Sequence, residues 1–181
     1  MNRRYRALAI AVAVVALVAG CATADTAQLQ GIPEQLRPPP PQALSRQVHA
    51  TGVQVYECRP SKDDAARFEW QFRAPEATLL DRAGKAIGKH YAGPTWEAND
   101  GSKVVGEVIA RDNGPYAAAI PWLLLRATSA SGDGSFGRVV SIQRLHTVGG
   151  KAPADGCGQA QSGQQARVPY SADYLFYITR R

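Results

Sequence analysis

Short stretches of alternating apolar and polar residues recur along most of this chain. The clearest is residues 68–74, in which Phe68, Trp70, Phe72 and Ala74 alternate with polar side chains. Successive side chains of a β-strand point to opposite faces, so this period of two predicts a half-buried strand. The four apolar residues are expected on its inward face. No stretch shows the longer period of a convincing amphipathic helix.

Further strand segments are separated by turn residues rich in glycine, asparagine and proline. They are residues 52–58, 78–81, 86–88, 103–111, 122–129, 138–148 and 170–178. A glycine- and glutamine-rich excursion covers residues 149–168. Short strands at regular spacing are typical of an antiparallel β-sandwich or a closed β-barrel. The pattern therefore predicts a single all-β domain and leaves the choice between these two architectures open.

The first twenty residues follow a different pattern. Arg3, Arg4 and Arg6 precede an uncharged apolar run over residues 7–20. This run is shorter than the roughly 20 residues that a membrane span needs, and a basic start before a short apolar run is typical of a secretory signal. Residues 18–21, Val-Ala-Gly-Cys, resemble the lipobox of bacterial lipoproteins. We expect a signal peptide over residues 1–20 and lipidation of Cys21.

The segment after this cysteine is rich in proline. It includes four consecutive prolines at residues 38–41, and such runs prefer extended geometry and act as semi-rigid spacers. We expect a tether over residues 21–42 and a folded domain over residues 43–181. By resemblance to lipoprotein sorting signals, Ala22 indicates the outer membrane, with the domain facing the periplasm. The alternative is cleavage after Ala24, which would release a soluble periplasmic or secreted protein.

Charge excludes one class of partner. The chain has 21 basic and 15 acidic residues, a net charge of +6. Loss of residues 1–20 would remove three arginines and no acid, leaving a net charge of +3. The remaining lysines and arginines are scattered, whereas nucleic-acid binders cluster them. No nucleic-acid partner is expected.

Two cysteines remain in the predicted domain, Cys58 and Cys157. In an exported protein such a pair is usually bridged. Neither has a second cysteine or a histidine at the spacing of a metal site. We predict a disulfide that closes a long loop.

Five segments together resemble one known family. They are Gly-Val-Gln-Val-Tyr-Glu-Cys at 52–58, Phe-Arg-Ala-Pro-Glu-Ala at 72–77, Gly-Lys-His-Tyr-Ala-Gly-Pro-Thr-Trp at 88–96, Ile-Pro-Trp-Leu-Leu-Leu at 120–125 and Val-Gly-Gly-Lys-Ala-Pro at 148–153. In this order they are similar to the family called Domain of Unknown Function 3455. The resemblance covers about residues 33–177. It implies an exported protein and brings no activity, cofactor or catalytic residue.

Residues 88–106 carry the densest group of candidate functional side chains. Turn residues frame aromatic, imidazole and carboxylate groups there, and sites are often built on such loops. The candidates for ligand binding are His90, Tyr91, Trp96, Glu97 and Asp100. We expect the turn between Tyr91 and Trp96 to form a shallow pocket with His90 and Glu97. Packing of a tight corner by the tryptophan is the competing interpretation.

Two motifs that suggest cofactors are weaker. Residues 132–137 read Gly-x-Gly-x-x-Gly, but a dinucleotide site needs a helix directly after the motif, and strand-forming residues follow here. A glycine-rich turn is the better interpretation. The histidines His49, His90 and His146 lack the spacing of paired metal ligands. No metal, nucleotide or other cofactor is predicted.

Three functional classes stay open on the sequence alone. We favour a non-catalytic envelope module that binds a cell-envelope glycan or another small ligand, because aromatics beside polar groups suit sugar rings and apolar ligands. A purely structural domain that contacts other proteins is the second. The third is a periplasmic hydrolase or metal-dependent enzyme using His90, with Glu97 paired to Asp100 or Glu107 as its acid and base. No catalytic residue is assigned.

Overall fold

Eight antiparallel strands close into a barrel in the structure, a computed structural model that describes residues 31–180. The chain divides into the units Met1–Ile32 and Pro33–Arg181, and all eight strands belong to the second. The signal peptide, Cys21 and residues 21–30 of the predicted tether lie outside the described residues. No helix within residues 31–180 has the length and apolar character to cross a membrane.

The strands follow one another around the barrel in chain order. They are β1 (Gln42–Pro60), β2 (Phe68–Leu80), β3 (Ala86–Tyr91), β4 (Thr95–Ala98), β5 (Lys103–Asp112), β6 (Trp122–Ser131), β7 (Ser141–Gly149) and β8 (Gln165–Thr179). Two short 3-10 helices, Glu34–Leu36 and Gln159–Gln161, complete the regular structure. The all-β prediction is confirmed, and of the two architectures left open the barrel is the one formed.

Pairing of β1 with β8 closes the barrel. The ladder runs from the pair Gln42 and Thr179 to the pair Glu57 and Gln165. Much of it involves residues 42–51 and 165–169, which lie outside the strands predicted from sequence. Closure removes free sheet edges: residues 42–51 pair with residues 171–179, and residues 165–169 pair with residues 53–57, so each less apolar segment pairs with a predicted strand.

The aromatic part of β2 lies at the rim of the barrel and does not enter its core. None of Phe68, Trp70, Phe72 and Ala74 is fully buried, and Phe72 is 53% exposed, so the prediction that all four form one inward face is wrong. A β-bulge opposite Val55 and Tyr56 pairs Phe72 with the buried Tyr56 and Ala74 with Val55, which leaves Phe72 on the inner side at the rim and moves Ala74 to the other face. Since neighbouring residues of a strand face opposite sides, Ala74 and Phe72 no longer share a face. The buried residues of β2 are Pro75 and Leu79, further along the strand.

The proline-rich segment packs against the outside of the barrel over residues 33–41. The 3-10 helix Glu34–Leu36 contacts β5 and β6, and Leu36 is fully buried. The carbonyl oxygen of Leu36 accepts a hydrogen bond of 2.6 Å from Gln143 Nε2. Near the end of the segment, the carbonyl of Pro41 accepts from the backbone N–H of Arg180. These described residues of the predicted tether are thus part of the packed domain.

The Gly-x-Gly-x-x-Gly motif forms the loop between β6 and β7 and closes one end of the barrel. No helix follows it, since β7 begins at Ser141. Phe136 from this loop is fully buried, with its ring 4.4 Å from that of Phe176 in the core. A Cβ at Gly137 would lie 1.6 Å from the carbonyl oxygen of Gly132, so the tight loop requires glycine there. The glycines of the motif therefore have a structural role in this tight loop.

The predicted disulfide between Cys58 and Cys157 is present. It joins the end of β1 to the excursion between β7 and β8, with the two Cα atoms 5.4 Å apart. The same excursion accepts a hydrogen bond of 2.9 Å at Asp155 O from Trp70 Nε1. A long segment with one short 3-10 helix is thereby held against the rim of the barrel.

Candidate functional site

The β3–β4 hairpin contains four of the five candidate residues and divides them between its two faces. His90 pairs directly with Trp96, and Lys89 pairs with Glu97. Residues that pair across a ladder share a face, and the next pair along faces the other way. His90 and Trp96 therefore point into the barrel, whereas Glu97 lies on the outside.

The inward pair is packed ring against ring. The imidazole of His90 and the indole of Trp96 are stacked, with centroids 4.3 Å apart and planes 9° from parallel. Tyr174 of β8 meets both rings edge-on. Trp96 is 1% exposed, and a Cβ at Gly106 would lie 3.2 Å from its ring. The glycine that ends the candidate stretch thus leaves space for the tryptophan.

His90 is neutral at physiological pH. Its Nδ1 lies 2.8 Å from the carbonyl oxygen of Thr95, and because a carbonyl only accepts, Nδ1 carries the proton. Burial is the main reason that the pKa of His90 is lowered to about 3. The hydrogen bond to Thr95 raises this pKa, and the positive charge of Arg144 lowers it. The other ring nitrogen, Nε2, is left with a lone pair and can accept a hydrogen bond.

Tyr91 and Glu97 form a separate group on the outer surface. The Tyr91 hydroxyl donates a hydrogen bond of 2.7 Å to Glu97 Oε2. Lys103 and Lys89 approach the same carboxylate at 3.2 and 3.7 Å. The hydrogen bond from Tyr91, followed by the interactions with the two lysines, lowers the pKa of Glu97. This carboxylate is ionised and neutralised by its own neighbours, away from His90.

Asp100 stabilises the loop that closes the barrel. Its Oδ1 accepts hydrogen bonds from the backbone N–H and hydroxyl of Ser102, and its Oδ2 accepts from the backbone N–H of Ser135 at 2.8 Å. These bonds hold the pKa of Asp100 well below its usual range. Glu107, the other predicted carboxylate partner, pairs with Arg126 on the outer face at 2.6 Å. Neither carboxylate lies beside His90.

A cavity of about 510 Å³ lies inside the barrel, next to His90 and Trp96. This volume falls in the range of small-molecule sites, and an eight-stranded barrel is wide enough to hold one small ligand. Much of the wall is apolar. Its apolar residues include Pro75, Val108, Ile120, Leu123 and Leu125. The structure therefore places two of the five candidates, His90 and Trp96, at one cavity and the other three elsewhere.

The exposed lining residues mark the entrance to the cavity. They are Phe72, Arg73, Gly93 and Arg111. Arg73 is 3.2 Å from Glu57 Oε2, whereas the side chain of Arg111 has no ion pair or hydrogen bond within the described residues. A second bulge, in β5 at Ile109, pairs Arg111 with the inward residue Leu123. The bulge is the reason that this arginine faces the entrance.

Gln54, Arg144 and Tyr174 line the cavity and were not identified as candidates from the sequence. Arg144 pairs with Tyr174 across the β7–β8 ladder, and its Nε and Nη2 donate to the carbonyl of Pro121 at 3.0 and 2.9 Å. One signal in the sequence was available. Arg144 is two residues after the apolar Ile142 and therefore on the same face of the strand, and a charge on an inward face indicates a functional residue.

Several buried polar atoms beside the cavity have no hydrogen-bond partner. They are Gln54 Nε2, Trp96 Nε1 and the hydroxyls of Tyr170 and Tyr174. The Tyr174 hydroxyl is close enough to Arg144 and Tyr170 for electrostatic interaction but outside hydrogen-bond geometry. Buried polar groups in folded proteins are nearly always satisfied by protein, water or ligand. These atoms therefore have capacity for a bound molecule.

The other two histidines lie together on the outer surface. His49 Nδ1 and His146 Nδ1 each lie 2.9 Å from a different carboxylate oxygen of Asp173. His90 is not part of this group. Within residues 31–180, no cluster of three or more histidine, cysteine or acidic side chains has the arrangement of a metal site.

Comparison with known proteins identifies the family and nothing finer. A search of curated proteins and a search of solved structures each found no significant match. The family model described as "Protein of unknown function (DUF3455)" matches residues 39–178, which include all eight strands except Thr179, the last residue of β8. This confirms the resemblance noted in the sequence. The chain belongs to the DUF3455 family of proteins of unknown function.

Proposed function

We propose that this protein is an exported module that binds a small organic molecule inside its barrel. The observation that carries the proposal is the cavity of about 510 Å³, whose wall combines apolar side chains with buried polar atoms that have no partner. A mostly apolar pocket with a few convergent polar groups is the usual form of a small-molecule site. A hydrolase using His90 has less support, because Glu97 and Asp100 are engaged elsewhere.

A neutral aromatic probe tests this function. We expect N-phenyl-1-naphthylamine to bind the protein saturably, with a fluorescence increase and a stoichiometry of about one. The Val108→Trp variant is expected to lose at least about 90% of this binding, because a large side chain at Val108 would occupy the cavity that this residue lines.

The matched control is Ile109→Trp on the same strand. Ile109 is half exposed on the outside of the barrel, so this variant adds the same bulk away from the cavity and should bind the probe as the unmodified protein does. Thermal unfolding checks that both variants are folded. Absence of saturable binding, or equal loss in the two variants, would contradict a cavity-binding function.

We further propose that the mature protein is a lipoprotein anchored at Cys21 to the outer membrane. The basic and apolar N-terminal pattern and the lipobox-like residues 18–21 support this. The Cys58–Cys157 disulfide supports an oxidising compartment. The ligand would then be met at the cell envelope, where a glycan fragment or another small molecule is available.

Metabolic labelling with palmitate tests the anchor. We expect the full chain to incorporate label and to sediment with outer membranes, and the Cys21→Ser variant to do neither. The N-terminus of the mature variant, read by mass spectrometry, shows whether cleavage instead follows Ala24. A Cys21→Ser protein that still takes up palmitate would refute lipidation at this residue.

A further inference from the structure

Arg144 brings a positive charge to the cavity wall that no carboxylate neutralises. Its guanidinium donates through Nε and Nη2 to one acceptor, the carbonyl of Pro121. No ion pair to Arg144 occurs within residues 31–180. An arginine presents five N–H donors in a planar fork, so N–H groups of Arg144 remain for a ligand.

The whole lining of the cavity has the same sign. Its titratable side chains are Tyr56, Arg73, His90, Arg111, Arg144 and Tyr174, with no aspartate or glutamate among them. His90 is neutral because burial lowers its pKa to about 3, and burial raises the pKa of Tyr174. Three arginines are therefore the charged groups that face the cavity and its entrance; Arg73 is ion-paired with Glu57 outside the lining, whereas Arg111 and Arg144 have no carboxylate partner within residues 31–180. A cleft lined by one sign of charge attracts ligands of the opposite sign.

Buried polar atoms at the cavity favour a ligand that has hydrogen-bond acceptors. Trp96 Nε1 is buried without a partner, and an indole N–H can only donate. The Tyr174 hydroxyl is also buried; it lies within electrostatic reach of Arg144 and Tyr170, but neither contact has full hydrogen-bond geometry. A ligand group that accepts several hydrogen bonds would satisfy these donors and the guanidinium together.

The remaining wall suits a flat apolar body. The stacked rings of His90 and Trp96 form one side, and aliphatic residues of β5 and β6 such as Val108 and Leu125 contribute another. Aromatic rings pack on such surfaces in offset or edge-to-face arrangements. Phe72 at the entrance is mostly exposed and forms an edge contact with Tyr56.

We propose that the cavity selects a small organic carboxylate with a planar apolar body, and that Arg144 is the residue that binds the carboxylate. Planar carboxylates match the guanidinium fork and can accept two parallel hydrogen bonds from it. The apolar body lies against the aromatic and aliphatic wall. This inference rests on the proposed binding function and adds the chemical class of the ligand.

Displacement of bound N-phenyl-1-naphthylamine measures this selectivity. We expect 2-naphthoate to bind the unmodified protein about 10- to 100-fold more tightly than the neutral 2-naphthamide, because hydrogen bonds to a charged group are stronger than neutral ones. Arg144→Gln should abolish most of this preference while changing probe affinity less than about threefold, since the probe carries no charge.

The matched control is Arg126→Gln, which removes one positive charge on the outer face of β6. It should keep the preference for 2-naphthoate. Equal affinity for acid and amide, or a preference that survives Arg144→Gln, would overturn the assignment while the cavity function stands. Tighter binding of 2-naphthyl phosphate than of 2-naphthoate would also overturn it, in favour of a phosphoryl group. Failure of the neutral probe itself would refute the function on which the inference rests.

Discussion

Replacement of both bridged cysteines, Cys58→Ser with Cys157→Ser, is expected to lower the free energy of unfolding by about 4–5 kcal/mol. The bridge spans 99 positions, and a cross-link that closes so long a loop removes much of the entropy of the unfolded chain. Urea denaturation at pH 7, followed by intrinsic fluorescence, gives the measurement. We expect the midpoint to fall while the variant stays folded at low temperature.

Reductant provides the control for this comparison. Dithiothreitol should destabilise the unmodified protein by a similar amount and leave the double variant unchanged, because the variant has no bridge to lose. A double variant as stable as the bridged protein would mean that the excursion between β7 and β8 is held by its other contacts. One such contact is the hydrogen bond from Trp70 to Asp155.

The second large effect is a loss of stability in mild acid that depends on His90. The unfolded histidine binds a proton below about pH 6.5, whereas the native one stays neutral down to about pH 3. Between these values the unfolded state binds more protons, so stability rises with pH and is lost as the pH falls. We expect the free energy of unfolding to drop by about 2 kcal/mol between pH 7 and pH 5 from His90 alone. Over the full window the loss is about 4–5 kcal/mol.

Two variants test whether His90 causes this dependence of the free energy of unfolding on pH. His90→Asn retains a side-chain N–H near the position of Nδ1, which can donate to Thr95 O, but cannot titrate. Its stability at pH 7 is expected to fall through lost ring packing, and its dependence on pH between 7 and 5 to flatten. His49→Asn, on the outer surface beside Asp173, should retain the slope. An unchanged slope in His90→Asn would contradict the buried, neutral histidine.

The window between pH 7 and pH 5 isolates the histidine from the acidic groups. The carboxyls whose pKa is lowered, Glu57, Glu76, Glu97 and Asp100, also favour the folded state at neutral pH. Their contributions are lost at lower pH, because the unfolded carboxyls bind protons only near and below about pH 4.5. A loss that begins above pH 5 therefore reports on His90.

Local signals in the sequence were sufficient for the strands, the disulfide and the family. The alternation in residues 170–178 predicts the core part of β8, because side-chain period depends only on neighbouring residues. The two cysteines of the domain predict the disulfide, because such a pair is usually bridged in an exported protein. Two residues of the candidate stretch, His90 and Trp96, line the cavity, and their role in ligand binding stays a prediction.

Register decided which of these side chains meet. A period of two defines two faces of a strand but does not say which one will be inside, and one extra residue exchanges them. The bulge at Ile109 turns Arg111 toward the entrance, and the bulge in β2 separates Phe72 from the face of Ala74. No local pattern reports such a shift, because it depends on the partner strand.

The amino-acid sequence by itself therefore determined the alternating strands, the disulfide and the membership of a family without a known activity. The tertiary fold decided the closure of β1 on β8, the separation of Tyr91, Glu97 and Asp100 from the cavity, and the inward position of Arg144. The reason is that each strand has two faces, and pairing between strands distant in sequence decides which face lines the barrel interior. That interior brings His90 and Trp96 of the β3–β4 hairpin together with Arg144 of β7 and Tyr174 of β8, which are distant from the hairpin in sequence.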